Sequence, residues 1–174
     1  MSAERWSYDW ADHFQAMERW KTKALECSDG EVRRTLEGFS ISSVESFDYA
    51  YAFFIWAHSL RDWLIQTRAI EKKKLDEKLN RYEEWKMVKD LSNRVKHQRI
   101  TRNPTDAEWI AGIKVTGNVK PPMSLELEPY VQHSGKYMRL KECILSIWNM
   151  WIEVLDSADL TNRTKVEKAH APTD

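Results

Sequence analysis

The sequence predicts a mainly α-helical single domain with one small antiparallel β-hairpin inserted before the last helix, and three observations lead there. Only five Gly and five Pro occur in 174 residues, and between Phe39 and Val119 the chain holds one Pro and two Gly, so long segments run without helix breakers. Apolar residues recur in several of those segments at three- and four-residue spacing, the period of a helix. Alternation with period two is confined to the stretch from Trp109 to Glu128. Nine Trp, five Phe and six Tyr supply much of the core volume, each ring burying on the order of 150–250 Å². A chain of this length hides roughly two-thirds of its unfolded surface. One domain over residues 1–160 therefore needs no cross-links, and the polar stretch 161–174 is expected to be a disordered tail.

The first helix is expected from about Tyr8 to Cys27, because Trp6, Trp10, His13, Met17, Trp20 and Ala24 mark one face, widened by Phe14 and Leu25. Ser28, Asp29 and Gly30 stop it, and Asp29 is placed to cap a short helix carrying Val32, Leu36 and Phe39, limited by Gly38. Ser42 and Glu45 have capping-box spacing and open a long helix, Ser43 to about Thr67. Tyr49, Phe53, Trp56, Leu60, Trp63 and Leu64 share a broad arc of this helix, with Phe47, Tyr51, Phe54 and Ile65 on the other side, so it should be central. From Glu71 to Glu84 the composition turns to Lys, Glu and Asp and reads as a solvated connection or a frayed helix start rather than as a packed element. A third helix covers about Tyr82 to Arg99 and ends at Asn103 and Pro104. Trp109, Ala111, Ile113 and Val115, then Met123, Leu125 and Leu127, alternate as two strands of a hairpin at about 109–128, turning over Gly117 to Pro122. The last helix, about Gly135 to Ala158, carries the stripe Tyr137, Leu140, Ile144, Trp148, Trp151 and Leu155.

Composition narrows function by exclusion. Lys plus Arg number 27 and Asp plus Glu number 27, so no global field draws the protein to nucleic acid or an anionic membrane. The most apolar run, Phe47 to Ile65, contains Asp48, His58, Arg61 and Asp62, which argues against a lipid-spanning helix. No secretory pattern follows Met1, and Cys27 and Cys143 suggest no disulfide framework, so a cytoplasmic location is expected. Cys143 falls in an apolar helical pattern and reads as a small buried thiol. Glycine-rich phosphate loops, nucleophile elbows and dinucleotide fingerprints are lacking, and no cofactor is expected. His58 and Asp62 stand four residues apart, but without Cys pairs or close His pairs a metal site is not expected either.

One polar constellation needs an explanation. Trp85, Val88, Leu91 and Val95 project to one side of the third helix, and Asp90, Asn93, Arg94 and His97 to the other. On the second helix His58, Arg61 and Asp62 form a strip among Trp56, Leu60, Trp63, Leu64 and Ile65. Buried polar groups of this kind cost several kcal/mol, on the order given by transfer data, unless complemented. The two strips are therefore expected to meet, with Arg61 bonded to Asp90 and His58 or Asp62 near Asn93, Lys96 or His97. Such a seam has two readings. As packing, it fixes how two helices dock through a network including Asp90, Asn93 and Lys96. As a catalytic pocket, His97 or His58 serves as acid or base, Arg61 or Lys96 holds a phosphate, and Asp62 or Asp90 orients the imidazole. Separately, Lys86, Lys89, Arg94, Lys96, Arg99 and Arg102 against Asp90 alone make a basic ridge; with Trp109 for stacking, it could grip RNA or be a solvated helix face.

His-Ser-Leu-Arg-Asp-Trp at His58–Trp63 and Asp-Leu-Ser-Asn-Arg-Val-Lys-His at Asp90–His97 resemble a group of uncharacterised bacterial and prophage proteins. That group pairs an Arg-Asp-Trp helix with a later Asp-x-x-Asn-x-x-Lys-His helix. The long-helix layout over roughly residues 40–160 is similar to the HEPN superfamily: helical bundles, often dimeric, tied to RNA cleavage, toxin–antitoxin pairs and antiviral defence. The resemblance implies a HEPN-like bundle, an RNA or nucleotide partner, a homodimer or protein partner, and functional positions at Arg61, Asp62, Asp90, Asn93, Lys96 and His97. Any activity would be metal-independent and ribonuclease-like. Ribonuclease members place four to six residues between an Arg and a His, whereas Arg94 and His97 enclose only Val95 and Lys96. The single formal fit, Arg163 to His170, lies in the polar tail. The competing class is a non-enzymatic interaction protein, dimerising or partner-binding, which includes a phage regulator of a host protein.

Overall fold

The computed structural model describes residues 8–28, 33–35, 38–40, 42–96, 110–118 and 124–161, with the backbone alone at 28, 33–35, 38–40, 42–44, 94–96, 117–118 and 124–127. Its elements run α1 (Trp10–Ser28), β1 (Arg33–Thr35), β2 (Gly38–Ser40), α2 (Ser42–Gln66), α3 (Lys72–Leu79), α4 (Glu83–Lys96), β3 (Ile110–Asn118), β4 (Ser124–His133), β5 (Lys136–Arg139) and α5 (Leu140–Asp156). The described chain is mainly helical with a small antiparallel sheet in the order β3-β4-β5, plus a separate β1-β2 pair.

Helix α2 is the axis of the fold. From Tyr49 to Ile65 only Asp62 is exposed, as an apolar pattern on every side requires. Ala50, Phe53, Phe54, Ala57, Leu60 and Leu64 are fully buried, with α1, α4 and α5 packed around them. Trp10, Phe14 and Met17 of α1 and Ile144, Ile147, Trp151 and Val154 of α5 complete the core.

Helix ends have local causes. Asp9 caps α1: its Oδ1 accepts from the amides of Ala11 (2.7 Å) and Asp12 (3.3 Å), while Asp12 Oδ2 accepts from the Asp9 amide (2.9 Å). Both α2 and α5 stop in Schellman motifs, with amide bonds from Ala69 to Leu64 and from Leu160 to Leu155. Arg68 and Asp159 take the left-handed position there (φ 58° and 57°), where Gly is usual. The expected Ser42–Glu45 box involves a hydroxyl outside the described side chains.

Several expectations are corrected. The segment of Val32, Leu36 and Phe39 is not a short helix: Arg33–Thr35 pairs antiparallel with Gly38–Ser40. Thr35 and Gly38 are poor helix formers, and a two-residue connection favours a hairpin. The charged stretch 71–84 does contain a packed element, because α3 lies within it and buries Leu75 and Leu79 while Lys72, Lys73, Lys74 and Glu77 face solvent. Two leucines at i, i+4 are enough to make one ridge. The hairpin gains a third strand: β4 runs on to His133 and returns as β5, and α5 begins at Leu140 rather than near Gly135. Ser134 and Gly135 are the two central residues of that turn, both at positive φ (49° and 73°), as a two-residue hairpin of type I′ demands. Tyr137 thus leaves the helical stripe for an exposed strand position. At the start of α5, Glu142 Oε2 accepts from the Arg139 backbone amide at 3.3 Å. The ends of the first helix and the start of the third shift by one or two residues, and Trp6, Gly30, residues 97–109, with the expected end of the third helix, and the tail from 162 lie outside the described residues.

Among the described residues no helix is long and apolar enough to cross a membrane. Leu79→Ala is expected to cost about 2–5 kcal/mol and to lower the urea midpoint at unchanged m, whereas Lys73→Ala on the exposed face stays within about 0.5 kcal/mol.

Candidate functional site

Arg61 does not meet Asp90. Its guanidinium grips Asp76 of α3 with both arms, Nε to Oδ1 at 2.6 Å and Nη2 to Oδ2 at 2.8 Å, and its Nη1 donates to Asp62 at 2.7 Å. The bonds from Asp76 hold the Arg61 pKa above its ordinary value against the opposing effect of burial. Hydrogen bonding to Arg61 likewise lowers that of Asp76. Asp76 was invisible as a partner in the sequence, sitting fifteen residues on in a charged run whose docking is a tertiary event. The pair is partly exposed (23% and 33%), so its net worth is about 1 kcal/mol or less.

His58 is half-buried, and its ring lies parallel to Trp85 of α4, centroids 5.5 Å apart at 9°. Trp151 meets the same indole edge to face at 5.9 Å. The α2 strip therefore meets α4 through the Trp85 ring, which the sequence placed on the apolar side of α4, and not through the Arg61–Asp90 bond that residue types alone suggested.

Asp90 turns the other way. It is buried on α4, and its Oδ2 stands 3.0 Å from Nε2 of His133 near the end of β4. The other ring nitrogen, Nδ1, is 3.3 Å from the hydroxyl of Ser134. An imidazole beside Asp90 thus exists, that of His133, while His97 lies outside the described residues. The only sequence signal was His-Ser-Gly-Lys, readable as a turn; its approach to α4 depends on strand β4 being long enough to reach.

A second buried histidine, His13 of α1, sits between Trp56 (4.3 Å) and Trp63 (5.6 Å). A carbonyl only accepts, so Nε2 carries the proton and donates to the Trp56 carbonyl at 3.0 Å. The Ser59 hydroxyl, also 3.0 Å away, gives its own proton to the backbone of Ile55 and Trp56. Nδ1 is left buried without a partner. Burial pushes the His13 pKa below its ordinary value, opposed by the Trp56 bond.

Of the remaining candidates, Asn93 is half-buried on α4, Lys86 is tied to Glu83 at 2.5 Å, and Lys89 is half-buried. The side chains of Arg94 and Lys96, and all of His97, Arg99, Arg102 and Trp109, lie outside the described residues. Most of the basic ridge therefore does too. Cys143 is buried with its Sγ donating to Met87 Sδ at 3.7 Å, and burial pushes its thiol pKa well up, the inert state expected of it. Among the described residues no three His, Cys, Asp or Glu side chains are grouped to hold a metal ion.

The outer face of the sheet has an order that the sequence did not advertise. Tyr130 lies across from Gly112, and a Cβ there would stand about 3.0 Å from the Tyr130 ring, so any larger residue would push the ring aside. Tyr137 stacks beside it at 4.9 Å and donates to Glu128 at 2.5 Å. That bond pushes the Tyr137 hydroxyl up to about 12, keeping it protonated. Arg139 also binds Glu128, at 2.7 Å, and Lys114 stands opposite Glu128 in register.

Comparison with known proteins gives no match to a family model, a curated protein or a solved structure.

His13 makes an acid-sensitivity prediction. Its folded-state pKa lies below the unfolded value of about 6.5, so the unfolded chain binds the proton first. Its contribution is whole above that value and declines as pH falls through it. Urea unfolding of His13→Gln between about pH 7 and pH 5 should show a shallower loss of stability than the native chain; equal slopes would remove His13 as the cause.

Proposed function

We propose that this chain is an RNA- or nucleotide-associated protein of HEPN-like kind, serving prokaryotic or phage defence or stress response by binding rather than by cleavage. The observation that carries the reading is the outer sheet face. Tyr130 and Tyr137 form a paired aromatic surface, fixed by Gly112 beneath and Glu128 at the side, with Lys114 and Arg139 at its margin. Bases stack on such rings without regard to sequence, and the cations suit phosphates. Glu128 offsets one of the two cations, so affinity should come more from stacking than from charge. Cleavage at the helical seam is not favoured, because Arg61 is held by Asp76 and Asp62 and the ring of His58 rests on Trp85.

Fluorescence anisotropy with a labelled single-stranded RNA tests this. Binding is expected with a shallow salt slope, roughly −0.7 for each phosphate contacted, and Tyr137→Ala should weaken it about tenfold. No binding at low salt would sink the reading.

The alternative, a dimerising or partner-binding module, has its own support: Ile110 and Val115 of β3 are 51% and 58% exposed, and no described strand pairs with the outer edge of β3. Sedimentation should then show a concentration-dependent dimer that Val115→Asp dissolves; a monomer throughout the concentration range argues against self-association by this strand.

A further inference from the structure

We propose that Asp90, His133 and Ser134 form a hydroxyl-activating triad through which Ser134 accepts an acyl group from small activated esters. This goes beyond the binding reading and does not depend on it. The carboxylate of Asp90, buried on α4, faces Nε2 of His133 at 3.0 Å, and an ionised carboxylate only accepts, so Nε2 carries the ring proton. Nδ1 is thereby left as the basic nitrogen, and the hydroxyl 3.3 Å away belongs to Ser134. Carboxylate, imidazole and hydroxyl stand in the relation that acyl-transfer enzymes use, with the two ring nitrogens exchanged.

The three groups are also graded in exposure as such chemistry needs. Asp90 and His133 are buried, with 3% and 10% of their side chains accessible, whereas Ser134 is exposed at the tip of the β4–β5 turn. Among the described residues, a Cβ built on Gly135 would meet nothing within 4 Å. Serine is an unusual choice at the first central position of a type I′ turn, where Asn, Asp or Gly accept a positive φ more readily. Its hydroxyl contact with His133 gives that choice a chemical reason. An exposed hydroxyl at a turn tip suits a small acyl donor carrying a good leaving group.

In the step, Ser134 Oγ bonds to the carbonyl carbon of the ester while its proton passes to His133 Nδ1, and the carbonyl electron pair moves onto oxygen. Collapse of that adduct breaks the bond to the leaving alcohol, which departs with the proton from His133. Asp90 stabilises the imidazolium between these events. Water then attacks the acyl-serine, giving its proton to His133, and the acid is released as Ser134 Oγ takes the proton back.

Full-length chain would be incubated with p-nitrophenyl acetate and, separately, with a fluorophosphonate probe. The expected result is nitrophenolate release at least tenfold above Ser134→Ala and a single probe adduct that peptide mass spectrometry maps to Ser134. Asp90→Asn and His133→Gln should each slow both reactions about tenfold or more. Should either buried variant fail to fold, Ser134→Ala and Ser134→Gly decide alone. Ser134→Gly suits the positive φ, so it is expected to keep or raise the melting temperature while losing the chemistry. Labelling elsewhere, no labelling, or hydrolysis by Ser134→Ala at the native rate would overturn the proposal.

Discussion

Burying a helix on nearly every side removes the water that its polar groups would otherwise use, and this condition, set by α2, governs the rest of the molecule. The aromatic and aliphatic side chains that drive α2 inward carry His58, Ser59 and Arg61 with them into half-buried positions. Each is then met by something supplied from another element: Trp85 for His58, His13 and the α2 backbone for Ser59, Asp76 for Arg61. Apolar burial provides the free energy, and the polar contacts select which neighbours fit.

That selection explains an element that composition would leave loose. Helix α3 has only Leu75 and Leu79 to bury, a small apolar contribution for eight residues. The bidentate Arg61–Asp76 contact orients it on α2, and together with the two leucines it turns a charged run into a packed helix. The same logic operates at the opposite end of the polar set. Asp90 is too deeply buried to stand alone, and β4 brings His133 to it, tying sheet to helix body through one charge-assisted contact. Among the described residues, Asp90, His133 and Ser134 consequently collect where the sheet returns to the helices.

Much of the helical framework was legible from spacing alone. The stop signal after α1 and the start signal before α2 lie within a few residues of the helix ends, and the central place of α2 follows from apolar residues on both its sides. Misreadings arose where one local pattern served two structures. Tyr137, Leu140 and Ile144 keep helical spacing, yet Tyr137 belongs to a strand because Ser134 and Gly135 first reverse the chain. Arg61 and Asp90 are complementary types on neighbouring helices, but Asp76 and His133 reach them with better geometry. Gly112 read simply as a strand residue; its role as the floor beneath Tyr130 depends on cross-strand register.

By itself the amino-acid order determined that long helices form, that one of them lies innermost, and that a few charged and imidazole side chains are carried into places where isolation is costly. Those outcomes depend on periodicity and on turn residues, which act over one or two helical turns. Which carboxylate answers which base, and which histidine is oriented by Asp90, was decided only by the tertiary structure. Hydrogen-bond partners are chosen within about 3 Å in space, and chain separations of 15 residues for Arg61–Asp76 and 43 for Asp90–His133 leave that choice to the packing of whole elements.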